Sequence, residues 1–178
     1  GNNVALGYQS LLFNTTGNNN TASGSSAMQN NTTGGNNTAV GLAALGGNTV
    51  GANNTAVGFN ALLANTTVSN LTAVGSGALQ ANTTGTSNTA VGFNALNANN
   101  VGAGNVAVGT SALQLNTSGN FNSALGLGAG SALTTGSSNT LIGSGAGDTI
   151  TTANSNVAVG ANALTNATTS NNTAVGVN

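Results

Sequence analysis

Residues 37–58 read NTAVGLAALGGNTVGANNTAVG, which is one complete repeat of 17 residues followed by the start of the next. The glycine that ends the motif NTAVG recurs with this spacing along the whole chain. It stands at Gly7, Gly24, Gly41, Gly58, Gly75, Gly92, Gly109, Gly126, Gly143 and Gly160, and then at Gly176 after a step of 16. Repetition at a fixed period is typical of stacked-repeat proteins, so the sequence predicts a solenoid.

Each position of the repeat keeps its own residue type. The residue before the glycine is Val, Leu or Ile in ten of eleven repeats, and the residue before that is Ala in ten. Leu usually stands four places after the glycine, although Gly130 and Gly147 interrupt this column and predict thinner coils. These apolar runs are too short for helices and are bounded by Gly and Asn. We therefore predict an all-β parallel β-solenoid over residues 1–178, with about ten coils and two short strands in each coil.

Stacking places like residues over like. Coils stacked at the spacing of β-strands, about 4.8 Å, would form a rod roughly 48 Å long. An Asn column precedes the strand motif and predicts a ladder of side-chain amides. Its members are Asn3, Asn20, Asn37, Asn54, Asn88, Asn105, Asn122, Asn139, Asn156 and Asn172, with Leu71 as the exception. The one-residue deletion falls between Leu164 and Asn166, where a loop can absorb it.

The Ala and Val columns of the strand motif predict an association surface. Adjacent residues of a strand point to opposite faces, so Ala39 and Val40 cannot both face the interior of the coil. Since water-facing positions favour polar residues, we expect the Ala face to meet another chain. The alternative is that a narrow coil admits only Ala at its tightest positions.

The composition excludes most chemistry. The chain has no Lys, Arg, His or Cys, and Asp148 is its single acidic residue. We therefore predict no catalytic residue, no cofactor-binding residue and no metal ligand set, and we expect Asp148 to be a solvated turn residue. Without basic side chains, nucleic acid is not an expected partner. No apolar stretch is long enough to span a bilayer, so we expect no membrane insertion.

Two groups of residues are candidate surface sites. Three aromatic residues, Tyr8, Phe59 and Phe93, directly follow the repeat glycine and are candidates for surface contact. Several Asn residues begin Asn-x-Thr or Asn-x-Ser triplets and are candidate glycan acceptors on an outward corner. They are Asn14, Asn31, Asn65, Asn82 and Asn116. The alternative is that the repeat itself generates these triplets.

The string N-T-A-V-G-x-x-A-L, found at residues 37–45, 54–62 and 88–96, resembles the head repeats of YadA-like trimeric autotransporter adhesins. It is also similar to stretches of bacteriophage tail fibres and other bacterial surface-fibre proteins. This resemblance implies a left-handed β-roll in which three identical chains pack side by side.

These observations predict a non-catalytic fibre segment at the cell surface, outside the cell or on a virion. Its function would be the multivalent display of one repeated surface to an unknown receptor. Because Gly1 lies within a repeat, we expect the segment to belong to a longer fibre. One alternative is a subunit that stacks end to end into a filament or sheath without a receptor. Another is an ice-binding solenoid that presents the Thr column Thr15, Thr32, Thr49, Thr66 and Thr83.

Overall fold

A three-residue strand precedes every repeat glycine in the computed structural model, which describes residues 1–178. The strands are β1 Val4–Leu6, β2 Thr21–Ser23, β3 Thr38–Val40, β4 Thr55–Val57, β5 Thr72–Val74, β6 Thr89–Val91, β7 Val106–Val108, β8 Ser123–Leu125, β9 Thr140–Ile142, β10 Val157–Val159 and β11 Thr173–Val175. They pair in chain order in one eleven-stranded parallel sheet. The predicted all-β parallel solenoid of about ten coils is confirmed.

The pairing register aligns the columns of the repeat. Thr38 pairs with Thr55, and Val40 pairs with Val57. The short final repeat keeps this alignment, because Val159 still pairs with Val175. The deletion is therefore absorbed outside the sheet, as predicted.

The prediction of a second strand in each coil is wrong. The Ala-Leu segment after each glycine forms turns, because two of its residues adopt a left-handed backbone conformation that a strand does not contain. Asn60 and Leu62, for example, have φ values of 55° and 54°. The segment nevertheless bonds to the next coil, with the Leu62 N–H donating to the Ala78 carbonyl at 3.0 Å.

The Ala column of the strands faces the interior of the coil, so the prediction that it meets another chain is wrong. Ala39, Ala56, Ala73 and Ala90 are fully buried within their own chain. They join the buried Ala and Leu residues of the turn segment in one continuous core. The narrow coil thus explains why Ala is required, and the Val column lies outside.

The two coils that have Gly130 and Gly147 in place of the usual Leu are not thinner, contrary to the prediction, because other apolar side chains fill their interior. Leu133 and Ile150 stand where other coils have Asn, and Leu141 replaces the strand Ala. All three are fully buried. A Cβ at Gly130 would lie 2.6 Å from Leu141 Cδ1, and one at Gly147 would lie 2.7 Å from Leu141 Cδ2. The larger side chain therefore occupies the space that both glycines leave.

The predicted amide ladder is confirmed, and we name it the strand ladder. Each side chain except that of the last member, Asn172, links two coils, because its oxygen accepts from the backbone of the next coil. The Asn54 N–H donates to Asn37 Oδ1 at 2.8 Å, and Asn37 Nδ2 donates to the Gly51 carbonyl at 2.8 Å. Buried polar groups are thus paired along the rod, as the low polarity of the interior requires.

A second ladder, which the sequence analysis did not predict, lies beside the strand ladder, because both ladders donate to the same carbonyl groups, such as that of Gly51. We name it the corner ladder; it comprises Asn14, Asn31, Asn48, Asn65, Asn82, Asn99 and Asn116. Asn48 Nδ2 donates to Asn31 Oδ1 at 2.8 Å and to the Gly51 carbonyl at 3.0 Å. Each of these residues except Asn14 is fully buried.

Replacement of Asn48 by Ala is expected to lower the free energy of unfolding by about 3 kcal/mol, because Asn31 Oδ1 loses its buried donor and a cavity remains. Urea denaturation followed by circular dichroism measures the change. The control is Asn30→Ala, since Asn30 is exposed and its side chain makes no hydrogen bond. An equal loss for both variants would contradict the role of the ladder.

Candidate functional site

The first and third residues of each strand point outward, because the central Ala points inward. They form two parallel ranks on the sheet, one mostly Thr and one mostly Val. The apolar rank is substantially exposed at several levels, with Val40 at 39%, Leu125 at 51% and Ile142 at 38% of full exposure. This rank is therefore apolar at every level except Ser23, and its side chains are exposed or half-buried along the rod.

The column after the repeat glycine adjoins the Val rank and contains the predicted contact residues. Tyr8, Phe59 and Phe93 are more than half exposed, and so they are available for contact. Leu42 and Leu127 extend the same column and are also exposed. The three aromatic residues share the column but do not lie in adjacent coils. Ser25 and Leu42 stand between Tyr8 and Phe59, and Ser76 stands between Phe59 and Phe93.

We call the two strand ranks and this adjoining column the outer apolar face. It carries no charged side chain, because the single charged residue, Asp148, lies in the turn segment. Asp148 is half-buried, and its Oδ1 is enclosed without a hydrogen-bond partner, so it is less solvated than expected. No three His, Cys, Asp or Glu residues come together in the chain. No helix in the structure has the length and hydropathy needed to cross a bilayer.

The candidate glycan acceptors belong to the corner ladder. Asn31, Asn65, Asn82 and Asn116 are fully buried, and their amide nitrogens donate to protein carbonyls. The folded coil therefore leaves these nitrogens no access to a sugar donor, which corrects the expectation of an outward corner. Asn14 is half-buried, and its Nδ2 donates to the Gly17 carbonyl at 3.1 Å.

Most hydroxyls of the Thr column considered for ice binding form hydrogen bonds within the protein. The hydroxyls of Thr15, Thr32 and Thr49 donate to backbone carbonyls of the next coil at 2.9, 3.0 and 3.0 Å. They therefore do not form a free hydroxyl array. Ice binding stays a prediction, for which a thermal-hysteresis assay is the measurement.

The fold and the outer apolar face together define a parallel β-solenoid with an uncharged surface stripe. Comparisons with protein-family models, with characterised proteins and with solved structures gave no match to this chain.

Proposed function

We propose that this chain is a non-catalytic structural segment of an extracellular fibre, and that copies of it associate side by side through the outer apolar face. The observation that carries the proposal is the continuity of that face over eleven strands without a charged side chain. The ladders inside the coil supply stiffness, since each coil is bonded to its neighbours by both backbone and side chains.

The size of the face supports association. Eleven strands at about 4.8 Å, with a width of about five residues, give a surface of roughly 900 Å². A stable interface buries about 800 Å² on each partner, which is close to the area of this face.

A second copy of the chain is the partner that the face favours. The exposed ranks repeat at every coil, and an identical rod repeats with the same spacing, so each contact can be made again at every level. The absence of charge removes electrostatic repulsion between copies. A three-chain assembly with a left-handed roll would agree with the resemblance to YadA-like heads, and the remaining faces would display the repeat to a receptor by avidity.

Lysine at two positions of the Val rank is expected to separate the chains. In Val40→Lys/Val74→Lys, association would bury two ammonium groups in the interface without partners. The free energy of desolvating them exceeds the free energy gained by burying the remaining apolar side chains. Sedimentation velocity should show an oligomer for the unmodified chain and a monomer for this variant.

The matched control is Thr16→Lys/Thr33→Lys, which adds the same charge at exposed positions away from the outer apolar face. It should remain oligomeric. An unmodified chain that sediments as a monomer at all concentrations would refute the proposal. Negative-stain images of the same samples distinguish discrete rods from the end-to-end filaments of the alternative.

A further inference from the structure

A second glycine column allows the coils to approach closely at the corner that precedes the strand ladder. It comprises Gly17, Gly34, Gly51, Gly85, Gly102, Gly119 and Gly136. A Cβ at Gly34 would collide with the carbonyl oxygen of Gly51 in the next coil, and the same holds at Gly85 with Gly102. Val68 and Ala153 are the two residues that break this column, and Val68 lies in the middle of the rod.

The corner opens where Val68 meets the next coil. In the preceding pair of coils the Thr49 N–H donates to the Thr66 carbonyl at 2.8 Å, and in the following pair the Thr83 N–H donates to the Asn100 carbonyl at 3.0 Å. The corresponding bonds from Thr66 and Thr67 to Thr83 do not form. The bond from Ser87 to the Ser69 carbonyl, which the register predicts, is also missing. The steric demand of the Val68 side chain accounts for this separation.

Both Asn ladders are interrupted at the same corner. Asn65 is fully buried, yet its Oδ1 has no hydrogen-bond partner, because Asn82 does not donate to it. Leu71 replaces the strand-ladder Asn whose amide would otherwise bond to the Gly85 carbonyl. A buried acceptor without a donor is costly, so the interrupted ladder weakens the contact between these two coils.

The result is a cleft of about 410 Å³ between two coils that remain joined elsewhere. Strands β5 and β6 still pair through Thr72 with Thr89. On the turn side, Leu62 still bonds to Ala78. The cleft is lined by the polar side chains of Thr67, Ser69, Asn70, Thr84, Thr86 and Ser87, with Val68 beside them. It shares no residue with the outer apolar face.

We propose that this cleft is a binding site for a neutral saccharide. Its volume lies in the range of small-molecule sites. Five hydroxyls, one amide and unpaired backbone N–H groups offer donors and acceptors to a ligand rich in hydroxyls. No charged side chain is present to hold an anion or a cation. The saccharide's hydroxyls bond to the N–H groups of Thr67 and Ser87 and to the Ser69 carbonyl, whose coil-to-coil hydrogen bonds are missing.

The test is a titration of the full chain with D-galactose, D-mannose and N-acetyl-D-glucosamine, followed by amide NMR shifts. Binding should shift the amide signals of Thr67, Ser69 and Ser87 in a saturable way, while the closed corner at residues 32–36 stays unchanged. The hydroxyl-deleted variant Thr67→Val/Thr86→Val, which preserves shape, should bind at least tenfold more weakly, corresponding to the loss of one or two hydrogen bonds.

The control variant Val68→Gly/Leu71→Asn restores the residues of the other coils, closes the corner and should abolish the shifts. Circular dichroism verifies that both variants fold. Absence of shifts with all three sugars would overturn the proposal, as would shifts of equal size at every corner or undiminished binding by the closed variant. Sedimentation of the same samples tests the proposed association separately, because the cleft variants leave the outer apolar face intact.

Discussion

Replacement of Gly92 by Ala is expected to lower the free energy of unfolding by about 4 kcal/mol. Gly92 has a φ of 137°, which residues with a side chain rarely adopt. An added Cβ would also lie 2.6 Å from the carbonyl carbon of Gly109 in the next coil. Because the backbone of residue 92 fixes the position of the added Cβ, and the atom that it meets is a backbone atom, the clash can be relieved only by separating two coils and breaking their ladder bonds. Urea denaturation at a fixed protein concentration measures the loss.

The matched control for Gly92 is Gly128→Ala. Gly128 also has positive φ, 65°, but no atom lies within 4 Å of its added Cβ. Ala43 occupies the same position of its own coil with a φ of 55°. The control should therefore cost only about 1 kcal/mol, the price of the backbone conformation alone. Similar losses for the two variants would show that close approach of the coils does not require the repeat glycine.

Replacement of Leu141 by Ala is expected to cost about 4 kcal/mol, because it leaves a cavity beside both Gly130 and Gly147. Leu141 is fully buried, and no neighbouring Leu of the turn segment is present at those two levels to close the space. Denaturation with urea again provides the measurement, and hydrogen exchange of the β9 amides locates the loss. A cost below 1 kcal/mol would contradict the packing described.

A double-mutant cycle tests whether Leu141 and Gly130 compensate for each other. Gly130→Leu alone should destabilise the chain, because its side chain meets Leu141. The backbone is not an obstacle, since Leu113 adopts a φ of 51° at the same position of the preceding coil. In Leu141→Ala/Gly130→Leu the two costs should partly cancel, with a coupling of about 1–3 kcal/mol. Additive losses would mean that the two positions are independent.

The repeat period predicts most of the architecture. A solenoid repeats along one axis, so the spacing of the repeat in the chain sets the stacking of its coils. Counting from Gly41 located every strand, the parallel register and the strand ladder. It also singled out Leu71 as an exception, although the meaning of that exception required the neighbouring coil. The pattern indicates Tyr8, Phe59 and Phe93 as candidates for surface contact, and all three are exposed.

The predictions that are wrong mainly concern which side chains face the interior of the coil. Alternation shows that Ala39 and Val40 point in opposite directions, but it does not indicate which direction is the interior. For a similar reason the polar Asn-Thr-Thr segment predicts an outward corner, whereas the Asn residues of the corner ladder point inward. Short Ala-Leu runs predict a second strand, because the positive φ of Leu62 is not visible in the sequence.

The sequence by itself determined the period of 17, the stacking of like residues and the lack of chemically reactive side chains. Tertiary structure decided that Ala and Asn fill the coil while Val lies outside, that Leu141 compensates for two glycines, and that the corner at Val68 is open. The physical reason is that these features depend on the space left after the coil closes on itself and the next coil is placed above it. That space is a property of residues far apart in the chain.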